Sequence, residues 1–180
     1  MERERLKEIM IDQKEVFQSR KDLISRDIAL EKYISTRQVV IITGIRRCGK
    51  SSLLYLIREK MELEEGEYCY FNFDDERIVS EPEVLERIFN LHIELYRKEP
   101  VLFLDEIQNI SNWEKFINRM YEKGLKIFIT GSNAKLRSSE ISTSLTGRNK
   151  ELKLYPFSFR EYLRFRGEDF DTEKLSSGNK

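Results

Sequence analysis

Cysteine, proline, histidine and tryptophan are all scarce in this chain: two, three, one and one among 180 residues. With only Cys48 and Cys69, neither a disulfide framework nor a zinc site is suggested, and thiols used so sparingly suit a reducing cytoplasm. An excess of either charge is also lacking. The 32 basic residues balance the 32 acidic ones, so no whole-molecule field draws the chain toward nucleic acid or an anionic membrane; any such binding must come from a local patch. No apolar run approaches the ~18 residues that span a bilayer, and no secretory pattern opens the chain. A soluble cytoplasmic protein without membrane contact is expected, its length suited to one domain with an appendage.

Glycine is scarce too, yet two of the eight fall in one octapeptide, Gly44-Ile45-Arg46-Arg47-Cys48-Gly49-Lys50-Ser51. It fits G-x-x-x-x-G-K-[ST], the phosphate-binding P-loop. Several backbone N–H groups must turn inward around one phosphate, and glycines permit this by removing Cβ at crowded or positive-φ positions. Lys50 then meets the β/γ-phosphates. Ser51 opens the following helix, where its hydroxyl can ligate Mg²⁺ while the helix N-terminus adds free N–H donors and partial positive charge. The context agrees: Val39-Val40-Ile41-Ile42-Thr43 is a β-branched run before the loop, and Leu53, Leu54, Leu56, Ile57 and Met61 recur at helical spacing after it. The nucleotide-binding candidates are Gly44, Ile45, Arg46, Arg47, Cys48, Gly49, Lys50, Ser51 and Ser52. Cys48, at a helix N-terminus beside Arg47 and Lys50, is expected to favour its thiolate.

A second run answers the first. Val101-Leu102-Phe103-Leu104 is apolar throughout, as in a strand covered on both faces, and ends in Asp105-Glu106. Ligands of doubly wound sheets bind at the carboxyl ends of strands. Asp105 there can reach a Mg²⁺ shell, and Glu106 can take a proton from an attacking water. A further strand, Lys126 to Thr130, breaks into Gly131-Ser132-Asn133. Those polar side chains suit either hydrogen bonding to a γ-phosphate or its water, or simple helix capping in a turn.

Around these elements the pattern is less specific. Residues 1–20 read as an amphipathic helix packed against something, and 21–36 as a second helical segment. Glu62 to Glu76 holds seven carboxylates and no Lys or Arg, around the strand-like Tyr68 to Phe73. Its Asp74-Asp75-Glu76 end suits a metal or a basic partner, or more simply a solvated strand end. Glu83 to Lys98 supports a helix carrying His92, an ordinary surface or core histidine. Trp113, Phe116, Ile117 and Met120 form the stripe of another helix, ended by Gly124. Residues 137–166 contain seven basic and three acidic residues, with Arg148 just before a strand at Glu151 to Tyr155. Phe157, Phe159, Tyr162, Leu163 and Phe165 suggest a short aromatic helix, and residues 167–180 a polar tail.

This order of segments resembles the AAA+ class of P-loop ATPases. It is closest to a prokaryotic branch carrying the segments found here as Leu104-Asp105-Glu106-Ile107-Gln108, Thr130-Gly131-Ser132 and Leu145-Thr146-Gly147-Arg148. The resemblance runs from about Arg26 to Leu163. It implies an α/β fold, a parallel five-stranded sheet in the order 5-1-4-3-2 flanked by helices, with an N-terminal helical extension over 1–35, an ATPase core over 36–166 and the tail over 167–180. It implies Mg²⁺-dependent ATP binding and hydrolysis coupled to a conformational change. The alternative is a nucleotide-gated interaction module with little hydrolysis. Lys50 and Ser51 would serve phosphate and Mg²⁺, Asp105 Mg²⁺, Glu106 water activation, and Ser132 or Asn133 γ-phosphate sensing. Arg148 would be an arginine finger reaching a neighbouring subunit of a homo-oligomer, or an ordinary surface arginine. Residues near Arg26 to Ile34 would border adenine. Family members usually continue into a helical lid and a C-terminal domain beyond the residues present, so turnover is expected to be weak. A protein effector is implied but unidentified, and the basic stretch leaves nucleic acid open without arguing for it.

Overall fold

The computed structural model describes residues 2–21, 23–132 and 145–168. Five strands form one parallel sheet: β1 (Val39–Gly44), β2 (Tyr68–Asn72), β3 (Val101–Asp105), β4 (Ile127–Ser132) and β5 (Asn149–Leu154). Their spatial order is β2-β3-β4-β1-β5, the expected 5-1-4-3-2 read from the other edge. Among the described residues the helices are α1 (Arg3–Gln18), α2 (Glu31–Ile34), α3 (Lys50–Lys60), α4 (Glu83–Tyr96), α5 (Trp113–Glu122) and α6 (Phe159–Phe165).

The unbroken apolar runs are explained by burial on both faces. Along β1, Val39 and Ile41 belong to one core and Val40 and Ile42 to the other, as side chains alternate across the sheet. The first core joins Phe71, Leu102, Leu104, Ile127 and Ile129 to α4 and α5. The second joins Tyr70, Phe103, Phe128 and Leu152 to α3. Each fully buried aliphatic or aromatic side chain contributes roughly 1.5–3 kcal/mol over leaving it in water.

Helix α1 crosses the open edge of β2. Leu6, Ile9 and Met10 enter the first core and Phe17 the second. Between them the buried Gln13 donates to Asn72 O (3.0 Å) and accepts from Asn72 N (2.8 Å), so its carboxamide pairs with the strand edge as a neighbouring strand would. Phe17 stacks on Tyr70 with ring centroids 4.0 Å apart and meets Tyr55 edge-on at 5.5 Å.

Two expectations change and one holds. Helix in 21–36 is confined to the single turn α2, because the residues before it are fixed by side-chain bonds to the far end of the chain. The aromatic helix exists as α6, but Phe159, Tyr162 and Phe165 are exposed, while Glu161 and Leu163 are buried. The acidic strand end is structural: Arg77 grips Asp75 and Asp12, and Gln13 also donates to Asp75 Oδ2 (2.9 Å). Asn133, residues 137–144 of the basic stretch, and residues 169–180 of the tail lie outside the described residues.

Candidate functional site

The carboxyl ends of β1, β4 and β3 share one rim of the sheet, with Gly44 opposite Ser132 and Leu104 opposite Ile129. The loop leaving β1 turns sharply there. A Cβ on Gly44 would lie 2.5 Å from Leu154 O and 2.6 Å from Cys48 Sγ, so no side chain fits. Arg47 takes φ 65° and Gly49 φ 96°, the left-handed turn that delivers the chain into α3. Lys50 is buried. Its Nζ donates to Ile45 O (3.4 Å) across the loop and pairs with Glu106 Oε1 at 3.2 Å.

Asp105 has no exposed surface. Tyr70 Oη donates to its Oδ2 at 3.1 Å, Thr130 Oγ1 donates to Oδ1, and the Ser51 hydroxyl bonds the same carboxyl. Burial pushes this carboxyl's pKa up; the bonds from Ser51 and Thr130 oppose the shift, Glu106 nearby adds to it, and the Tyr70 bond opposes it again. A desolvated carboxylate against a hydroxyl is a hard-oxygen pair suited to Mg²⁺. Among the described residues no group of three or more His, Cys, Asp or Glu could hold a metal.

Glu106 sits at φ 54°, ψ 42°, held by its N–H donating to Thr130 Oγ1 at 3.0 Å. A non-glycine residue in this region costs roughly 1–3 kcal/mol, which the surroundings must offset. The turn aims the carboxylate back at Lys50. Gln108, on the 3-10 turn Ile107–Asn109, donates from Nε2 to Glu106 Oε2 at 2.6 Å.

Beside the loop lies a cavity of about 190 Å³, lined by Leu23, Ile24, Arg26, Gly49, Leu56 and Phe157 among others. Arg26 is its keystone. Its Nη1 donates to Cys48 O (3.2 Å), Nη2 to Tyr155 O (2.8 Å) and Nε to Glu161 Oε1 (2.8 Å), and its guanidinium lies 4.9 Å from the Phe157 ring centroid. Glu161 also accepts from Asp27 N (2.9 Å) and Ser158 N (2.8 Å), completing the capping box of α6. Burial alone would raise the Glu161 pKa, but Arg26 and these two N–H donors bring it down to about 2.

The model of a family described as AAA domain matches residues 36–163. This chain belongs to that family. An uncharacterized protein of Methanocaldococcus jannaschii is 36% identical over 171 residues, covering 94% of this chain and 37% of its own length. An uncharacterized protein of Haemophilus influenzae is 32% identical over 158 residues, covering 83% and 40%. The chain therefore spans about two fifths of these relatives. AMPPCP-bound DnaA from Aquifex aeolicus matches with TM-score 0.51 and 17% identity, over 94% of this chain and 56% of that one, a likeness of fold alone. The AAA+ class, the P-loop ATPase fold and an ATPase-type nucleotide-binding domain are thereby given. No helix among the described residues is long and apolar enough to cross a membrane.

In this AAA domain Lys50, Ser51, Asp105 and Glu106 meet at one rim, with Ser132 level with Gly44. Arg148 does not join them. It precedes β5 at the opposite rim, where its O accepts from Val39 N and its guanidinium bonds Asn118 (3.1 Å) and Glu122 (2.8 Å) on α5. The expectation for Cys48 is corrected. Burial raises its thiol pKa against the pull of Lys50 and Arg26, because the sulfur packs inward under Gly44 instead of facing the phosphate site. Tyr70 and Glu161 were not picked out as site residues from the sequence, and Arg26 entered only as the start of the segment expected to border adenine, since each acts through a partner distant in the chain.

Proposed function

We propose that this domain binds ATP with Mg²⁺ and hydrolyses it, coupling turnover to a conformational change. The observation that carries the reading is the double convergence at the sheet rim: Ser51 with Asp105, and Lys50 with Glu106. The loop amides and Lys50 cradle the phosphates, and the 190 Å³ cavity between Ile24, Leu56 and Phe157 takes the base. Ser51 and Asp105 would hold Mg²⁺, which neutralises developing charge on the phosphates. Glu106 accepts the proton of a water whose oxygen bonds the γ-phosphorus as the bond to the bridging oxygen breaks, the electron pair leaving with ADP. Ser132 and Asn133 would meet the γ-phosphate, and Arg148 would serve a neighbouring copy in a homo-oligomer.

The test is phosphate release and ATP affinity in the parent, Lys50→Ala, Glu106→Gln and Arg148→Ala. Lys50→Ala should lose affinity; Glu106→Gln should keep it and lose turnover; Arg148→Ala should lose turnover only in the assembled state. Equal rates in parent and Glu106→Gln would remove Glu106 from the chemistry. One observation favours the second reading, a nucleotide-gated module: both Glu106 oxygens are engaged, by Lys50 and Gln108. Tight ATP binding without turnover in the same assay would select it.

A further inference from the structure

We propose that Gln108 is a positioning residue that orients the Glu106 carboxylate for proton transfer, a role that rests on the hydrolytic reading above. The backbone makes the arrangement. Asp105 ends β3, Glu106 turns through positive φ, and the 3-10 turn buries Ile107 completely, which swings Gln108 back toward the acid two residues earlier. Gln108 Nε2 donates to Glu106 Oε2 at 2.6 Å while Lys50 Nζ lies 3.2 Å from Oε1.

A carboxylate only accepts, so the nitrogen end of the carboxamide must face it, and the oxygen end is committed to the other side. That oxygen, Gln108 Oε1, is buried and has no hydrogen-bond partner among the described residues. A buried acceptor without a donor costs free energy, so the carboxamide keeps this orientation only because its nitrogen is bonded to the Glu106 carboxylate. When the triphosphate draws Lys50 away, Glu106 Oε1 is released to take the proton, and Gln108 keeps Oε2 in place.

Single-turnover ATP hydrolysis is measured for the parent, Glu106→Gln, Gln108→Ala and Gln108→Met, the last keeping length and bulk without donor or acceptor. Affinity for a fluorescent ATP analogue is measured alongside. Both Gln108 variants should hydrolyse about ten- to a hundredfold more slowly with affinity changed less than about threefold, the signature of a group that positions Glu106 and takes no part in binding. In nucleotide-free protein, the Gln108 side-chain amide signals in a ¹⁵N spectrum should move in Glu106→Gln. Parental rates in Gln108→Met while Glu106→Gln is silent would overturn this proposal and leave the hydrolytic reading standing. Equal rates in parent and Glu106→Gln would overturn both. Amide signals indifferent to Glu106→Gln would refute the hydrogen bond itself.

Discussion

Glu161→Gln isolates the clasp beside the cavity that flanks the loop. Arg26 and Glu161 expose only 6% and 5% of their side chains, and the carboxylate accepts three hydrogen bonds from Arg26, Asp27 and Ser158. Its pKa falls from an ordinary 4.5 to about 2, which at 1.36 kcal/mol per pKa unit corresponds to about 3 kcal/mol of stability at neutral pH. The sign follows from the direction. A carboxyl depressed in the folded state contributes fully above its unfolded value of 4.5, and the contribution is lost as pH falls toward 2. Neutralising it also leaves the Arg26 charge buried without its counterion, a loss of about 3–5 kcal/mol in comparable sites. Urea denaturation should therefore show the variant roughly 3 kcal/mol less stable than the parent at pH 7, with the gap under half that at pH 3. ATP affinity should fall with it, because Arg26 also holds Cys48 O of the phosphate loop. An equal gap at both pH values would refute the electrostatic account, and unchanged affinity would detach the clasp from the loop.

Gly44→Ala should abolish nucleotide binding and destabilise the fold by about 1–3 kcal/mol, since the added methyl meets Leu154 O at 2.5 Å and backbone cannot yield as a side chain would; thermal melts with and without ATP read both. Cys48 and Cys69 are buried, and burial raises both thiols, Cys69 to about 12. Iodoacetamide at pH 8 should therefore label neither thiol in folded protein and both in denaturant, counted by mass spectrometry. Phe17→Ala should cost about 3–5 kcal/mol in urea titrations, because the ring stacks on Tyr70 and is wholly buried.

The phosphate half of the site was legible because its signal is contiguous: eight residues fix the loop, and Asp105-Glu106 follow a run that only a doubly covered strand explains. Strand order came with the resemblance and agrees with the sheet. What escaped was long-range. Tyr70 and Asp105 are 35 positions apart, Thr130 and Asp105 25, and Arg26 and Glu161 135; no local period encodes such pairs. Cys48 failed for a different reason. Charge adjacency in sequence suggested a thiolate, but the φ 65° turn at Arg47 directs the next side chain beneath the loop, where desolvation outweighs nearby cations. The short aromatic helix was legible and is α6; that Glu161 anchors it through hydrogen bonds while its rings stay outside was not.

The two halves of the pocket are thus held by different physics. Asp105 and Ser132 stand at the ends of strands whose register is fixed by the ladder of a parallel sheet, so their positions inherit the rigidity of the two cores. The groups around the cavity come from three segments separated widely in sequence, the stretch before α2, the loop and the β5–α6 corner, and Arg26, in the first, bonds the other two. A nucleotide bound as proposed would touch the rigid rim at one end and the clasp at the other. Any free-energy difference between empty and filled loop that reaches Cys48 O is felt by Arg26, then by Glu161, and so at the N-terminus of α6, whose exposed Phe159, Tyr162 and Phe165 face solvent. The proposed coupling of nucleotide state to a conformational output would have its physical route through this one shared, buried guanidinium.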